Sequence, residues 1–326
     1  MIAFIIICSS IILILLIILF VAKLVHNQLF SKRCEQNEDI AGFTKEDFDF
    51  EYKKIDFIHK KKTLRGFLFS KEIKYPNKLI IFCHGMYSTH ENYIQEIASL
   101  VNLGYLVLGF DYYGVGISDG KNTLGIGNSL SSLNSLMNYI KNDKELSLKD
   151  IYVIGHSWGG YATTNIVKYH KEIKGIIGIS PLISLKLIIL NNTKGLSRII
   201  LPFYMLIDIF NCGKYSIANG LKSLRDYNGK IMLIQSKDDP VIKYDYSVGL
   251  IKEKLKNKNI KYLIFNNRLH NPTYTDNAIN VMRKYSNDII NLKGKELKEY
   301  NRSFNFKEMG EIDTSVYDAI MGFINE

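Results

Sequence analysis

The chain opens with its longest apolar stretch. From Ile2 to Ala22 only Ser9 and Ser10 interrupt a run of apolar residues, and none carries a charge. About 21 residues make a helix of roughly 31 Å, enough to cross the hydrocarbon core of a bilayer. From residue 23 to 48 the pattern turns polar and charged, which suits a juxtamembrane linker. Beyond it, short apolar runs recur at 79–83, 105–110, 151–154, 175–180, 231–235 and 260–265. They are rich in β-branched and aromatic residues and are separated by helix-length segments. That alternation predicts an α/β domain over residues 49–326, a mostly parallel sheet with helices on both faces. Residues 50–58 and 64–69 predict an opening antiparallel hairpin. Residues 182–225 are too long for a single crossover helix. They carry further apolar clusters, such as Leu187 to Leu190 and Phe203 to Ile207.

The N-terminal run reads as an uncleaved single-pass anchor rather than a cleaved signal. No Lys or Arg precedes it and no small-x-small cleavage site follows. Ile7 before Cys8 is too large for a lipoprotein signal. Lys23, Lys32 and Arg33 follow the span, which by the positive-inside rule points to a cytoplasmic catalytic domain. Glu35, Glu38 and Asp39 lie close behind and offset that bias, so the side of the membrane stays open.

Composition narrows the picture. The roughly 275 residues after residue 50 suit one domain with a large core. The net charge is +10, but Lys is spread along the chain and Lys60-Lys61-Lys62 is the only compact run. This excludes a nucleic-acid partner and suits a surface near anionic lipid. The four cysteines, Cys8, Cys34, Cys83 and Cys212, are scattered singly and form no disulfide framework. There is no H-E-x-x-H, no Cys-x-x-Cys and no P-loop, and Gly114-Val115-Gly116 does not open a helix in the dinucleotide pattern. No cofactor or metal is implied.

The chemistry is concentrated in Gly155-His156-Ser157-Trp158-Gly159. An apolar strand precedes this pentapeptide and a helical segment follows it. A serine on so sharp a strand-to-helix turn is an exposed nucleophile, and the flanking glycines leave room for close packing. A serine needs a base, and the base needs an orienting acid. Asp238 and Asp239 follow the strand at 231–235, and His270 follows the strand at 260–265.

These residues resemble the α/β-hydrolase superfamily over about residues 50 to 295. Phe82-Cys83-His84-Gly85-Met86 is similar to its oxyanion loop. Phe110 to Gly120 is similar to the D-x-R-G-x-G-x-S segment of its serine esterases, monoacylglycerol lipases and related peptidases, with Tyr113 in place of the Arg. The resemblance implies a Ser157, Asp239 and His270 triad, because the family's acid lies two residues before a Val, here Val241. It implies an oxyanion hole from the backbone N–H groups of Met86 and Trp158, and structural roles for His84 and His156. It also implies a cap over the active site from residues 182–225. Ser236 and Leu269 stand where the family usually has glycine. Of the other histidines, His26 lies beside the apolar run, His59 and His170 fall in charged stretches, and His90 is a candidate to touch substrate. The Trp158 indole is expected in a pocket wall.

The expectation is therefore a membrane-anchored serine hydrolase acting on carboxylic esters, a monoacylglycerol or lysophospholipid among them. The alternatives are a peptidase or amidase with the same triad, and a non-catalytic binding protein that keeps the fold. A serine at the elbow excludes the epoxide- and halide-displacing members, which use an aspartate there.

Overall fold

The predicted hairpin is present in the computed structural model, which describes residues 1–36 and 42–326. Glu38 and Asp39 of the predicted linker lie outside the described residues. Strand β1 (Glu51–His59) pairs antiparallel with β2 (Lys62–Ser70). Lys60 and Lys61, both at positive φ, form the turn between them. Two left-handed residues give a turn whose twist matches the strands it joins. Ile55, Phe57 and His59 alternate inward along β1, the period of two of a half-buried strand.

The other strands follow the predicted runs: β3 (Lys78–Cys83), β4 (Leu106–Phe110), β5 (Asp150–His156), β6 (Gly175–Ile179), β7 (Lys230–Ser236) and β8 (Lys261–Phe265). All eight form one sheet in the order β1-β2-β4-β3-β5-β6-β7-β8, parallel from β4 onward. Alternate residues of the central strands feed two cores. Ile81, Val153, Ile176 and Leu233 meet α3 (Gly127–Asn142), α4 (Trp158–Ile166) and α8 (Val248–Lys254) on one face. Ile80, Ile154, Ile177 and Met232 meet α2 (Ile94–Asn102) and α12 (Thr314–Asn325) on the other. Helices α9 (Asp276–Asp288), α10 (Gly294–Ser303) and α11 (Phe306–Met309) follow β8 and precede α12.

The insertion between β6 and β7 folds into α5 (Leu185–Asn192), α6 (Leu201–Cys212) and α7 (Gly220–Arg225), with 3₁₀ turns between them. Ser184 caps α5 by accepting from the Leu187 N–H. Pro202 starts α6, where a missing N–H costs nothing.

Helix α1 (Ile2–Phe30) runs eight residues past Ala22, because no glycine or proline stops it. Its last turns bury Ala22, His26 and Phe30 at i, i+4 and i+8. Residues 23–30, expected as linker, are thus helix docked on the cap. The chain just after it is also held. Cys34 bridges Val115, and Arg33 donates to the carbonyls of Gly116, Ser118 and Gly120. The segment whose expected arginine is replaced by Tyr113 therefore receives a guanidinium from Arg33.

Candidate active site

Ser157 joins β5 to α4 with φ 55° and ψ −111°, a conformation that a residue with a Cβ enters only under strain. The turn is held from both sides. The Ser157 N–H donates to Ile179 O at 2.9 Å, and Ser157 O accepts from Leu182 N–H at 3.0 Å. The flanking glycines are required by contact. A Cβ on Gly155 would lie 2.3 Å from Thr163 Oγ1, and one on Gly159 would lie 2.0 Å from Cys83 O. This is the geometry of a nucleophile elbow. Among the described residues, none hydrogen-bonds the Ser157 hydroxyl, which faces a cavity.

His270 lies in the loop after β8. Its Nδ1 donates to Asp239 Oδ2 at 2.8 Å, which fixes the tautomer and leaves Nε2 uncommitted. The Asp239 side chain is fully buried, while that of His270 is 15% exposed. Asp239 Oδ1 accepts from the N–H groups of Val241 and Ile242, each at 2.9 Å. Gln235 Nε2 donates to Asp239 Oδ2 at 3.3 Å and to Ile242 O at 2.6 Å. The carboxylate is thus saturated with donors, and its one donor with room to move a proton is His270.

Asp238 does not reach His270. Its Oδ1 accepts from the Ser236 hydroxyl and from Leu269 N–H, and its Oδ2 lies 3.7 Å from Arg283. Leu269 has φ 49°, the left-handed region that explains the glycine usual at this position. Ser236 and Asp238 hold the strained residue, with Ser236 Oγ also accepting from Arg268 N–H at 3.0 Å. Arg268 braces the loop through Asp313, at 3.0 Å, and Asp276, at 2.8 Å.

His156 and Tyr93 link the loops. His156 Nε2 donates to His270 O at 2.9 Å, and the Tyr93 hydroxyl donates to His156 Nδ1 at 2.7 Å. Tyr93 in turn accepts from the Gly85 N–H at 3.1 Å. One chain of hydrogen bonds therefore ties the loop after β3 to the backbone of His270. Burial, with the neighbouring His270 ring, pushes His156 down to about 3, so it stays neutral and keeps this donor pattern. Sequence reasoning placed His156 in a motif but missed Tyr93 and Gln235, which lie outside it.

Met86 follows Gly85 in the loop after β3, and Trp158 opens α4. Among the described residues, neither backbone N–H donates to a protein acceptor. Both residues line a cavity of about 840 Å³ with Ser157 and His270. The cap supplies Leu185, Ile188, Ile189, Ile200 and Tyr204, and α1 supplies Val25, Leu29 and Phe30. Such a volume falls in the range of ligand sites, roughly 300–1,000 Å³. The Trp158 indole forms part of the wall and donates to Ile126 O at 2.7 Å.

His90, expected as a candidate to touch substrate, lies elsewhere. Its Nδ1 and its backbone N–H both donate to Asp111 Oδ1, at 2.9 and 2.8 Å, and the residue lines a separate cavity of about 870 Å³ with a mixed lining. His84 is buried, stacks on Tyr112 with ring centroids 3.9 Å apart and is not among the residues lining the apolar cavity. Among the described residues, no group of three or more His, Cys, Asp or Glu could hold a metal ion.

The sequence profile described as serine aminopeptidase, S33, matches residues 74–207. No curated protein matches the chain in sequence. Among solved structures, the esterase Pf2001 of Pyrococcus furiosus is similar, with 23% identity and a TM-score of 0.56 over 77% of this chain and 94% of that one. Est1E of Butyrivibrio proteoclasticus, solved with ferulic acid, is similar at 18% identity and a TM-score of 0.53, over 83% of this chain and all of the other. The chain has the α/β-hydrolase fold.

Proposed function

We propose that this chain is a membrane-anchored serine hydrolase that cleaves carboxylic esters with an apolar acyl group. One observation carries the reading. His270, held from behind by the buried Asp239, meets the strained Ser157 and two uncommitted N–H groups on the floor of one apolar cavity. His270 Nε2 takes the Ser157 proton as Oγ attacks the ester carbonyl. Asp239 stabilises the imidazolium that forms. The Met86 and Trp158 N–H groups receive the oxyanion, each worth on the order of 100- to 1000-fold in rate. His270 then protonates the departing alcohol, and water releases the acid from the acyl-enzyme.

The anchor reading is supported by what α1 holds. His26 Nε2 lies 3.4 Å from Asp208 Oδ2 in the cap, with both side chains buried. Phe30 packs on Trp158 with ring centroids 6.4 Å apart. Removal of α1 as a signal would expose this face and open one wall of the cavity.

The profile match to aminopeptidases favours a second reading, a peptidase. An aminopeptidase needs an anionic group to hold the free ammonium of its substrate. Among the described residues lining the cavity, none is acidic. This favours the neutral acyl end of an ester.

The test uses full-length protein in detergent with a fluorophosphonate probe, beside Ser157→Ala. The reading expects labelling of the wild type alone, and turnover of p-nitrophenyl esters at least 100-fold faster than of amino-acid p-nitroanilides. Absence of labelling in the folded protein favours a binding protein, and faster anilide turnover favours the peptidase.

A further inference from the structure

Helix α1 does more than reach the membrane. Ile17, Val21, Val25 and Leu29 line the same cavity as Ser157 and His270. They recur every fourth residue and so form one stripe along the helix. The neighbouring stripe, Ala22, His26 and Phe30, is buried against the cap and Trp158. The His26–Asp208 contact sets the rotation of the helix. Asp208 also accepts from the Ile126 N–H at 2.8 Å, at the start of α3. The face that α1 turns to the cavity is therefore fixed by a buried polar lock.

The position of that stripe along α1 matters. About 20 residues cross a bilayer core, so Ile17 and Val21 lie within the span that Leu29 lies beyond. The cavity runs from the floor at Ser157 up to a helix turn at hydrocarbon depth. The cap extends the same apolar surface. Leu196, Ile199, Leu206 and Phe210 are 91%, 57%, 59% and 91% exposed, on the broken helical stretch Gly195–Tyr215 that packs beside α1. An exposed apolar face contiguous with a membrane-spanning helix is covered by lipid rather than water.

We propose that α1 forms one wall of the acyl-binding site, and that the substrate's aliphatic chain enters from the bilayer through the groove between α1 and the cap. The substrate class is then an ester amphiphile resident in the membrane, whose tail need not cross water. This rests on the ester-hydrolase reading above.

The experiment uses the full-length protein in phosphatidylcholine vesicles. The probe is a hexadecyl fluorophosphonate with a diazirine at the end of its chain. Illumination after labelling, followed by peptide mapping, is expected to find Ser157 modified and carbene cross-links in α1 between Ile17 and Leu29. A Ser157 adduct with cross-links absent from α1 overturns this inference and leaves the ester-hydrolase reading standing. No Ser157 adduct at all defeats both. A second readout is Val25→Trp, which fills the groove. The ratio of kcat/KM for p-nitrophenyl decanoate to that for the acetate is expected to fall about tenfold, and an unchanged ratio contradicts the proposal.

Discussion

Two histidine–aspartate pairs in this chain share one local geometry and differ in everything else. In each, an imidazole Nδ1 donates to a carboxylate oxygen, at 2.8 Å for His270–Asp239 and 2.9 Å for His90–Asp111. In each, the aspartate also collects backbone N–H donors and is buried. The difference is the second ring nitrogen. His90 Nε2 is buried without a partner among the described residues, and its ring packs 5.5 Å from Phe67. His270 keeps Nε2 free beside the cavity that holds Ser157. Burial opposes charge on His90, but Asp111 outweighs it through its charge and hydrogen bond and raises the pKa. That makes the pair a clamp between the loops after β3 and β4. A histidine–aspartate pair does chemistry only where the far nitrogen meets a reactive group.

Breaking each pair separates the two roles. Asp239→Asn is expected to lower kcat/KM by about 10³- to 10⁴-fold with little change in Tm, since the wrong tautomer is then favoured. Asp111→Asn is expected to cost about 3 kcal/mol of stability in a urea titration, with activity of the folded fraction within tenfold of wild type. Equal losses of activity in both, at unchanged stability, contradict the comparison. A smaller effect sharpens it. Tyr93→Phe removes the donor to His156, which positions the His270 backbone. It should lower kcat about tenfold and leave KM nearly unchanged, as steady-state kinetics can read. Loss in KM alone would assign Tyr93 to binding.

The buried histidines also predict an acid limit to stability. Burial depresses His84 to about 4, partly offset by Asp111, and burial with the His270 ring depresses His156 to about 3. When unfolded, both gain protons near their ordinary 6.5. The unfolded state therefore binds more protons below that pH. What these two histidines contribute to stability is complete above about 6.5 and is lost as pH falls toward about 4. Thermal unfolding followed from pH 8 to 4 should show the share of Tm that these two groups carry falling below about 6.5. The smallest effect is expected at Asp238→Asn, a change of a few-fold in kcat/KM, because Asp238 holds the Leu269 turn and does not touch His270.

Much of the fold could be read along the chain. The strands carry local apolar runs, and the elbow compresses its requirements into five residues, two of them glycines with no room for a Cβ. The choice of Asp239 over Asp238 came from the resemblance, since adjacent residues of one turn are equivalent to any periodicity argument. Tyr93 was out of reach because its partner His156 lies 63 residues away. The His26–Asp208 contact spans 182 residues. Such pairings are fixed by tertiary packing and leave no mark in local pattern. That residues 23–30 continue the helix, where a linker was expected, has a related reason. A change in polarity at Lys23 does not stop a helix that has the cap to dock on.

The central claim is that Ser157 becomes acylated. The direct measurement mixes full-length protein with p-nitrophenyl decanoate, quenches in acid within milliseconds and weighs the peptide carrying Ser157. The account predicts a burst of about one nitrophenolate per enzyme and the mass of one decanoyl group on Ser157. Steady turnover with Ser157 unmodified and no burst, in protein whose Ser157→Ala variant remains active, would contradict it.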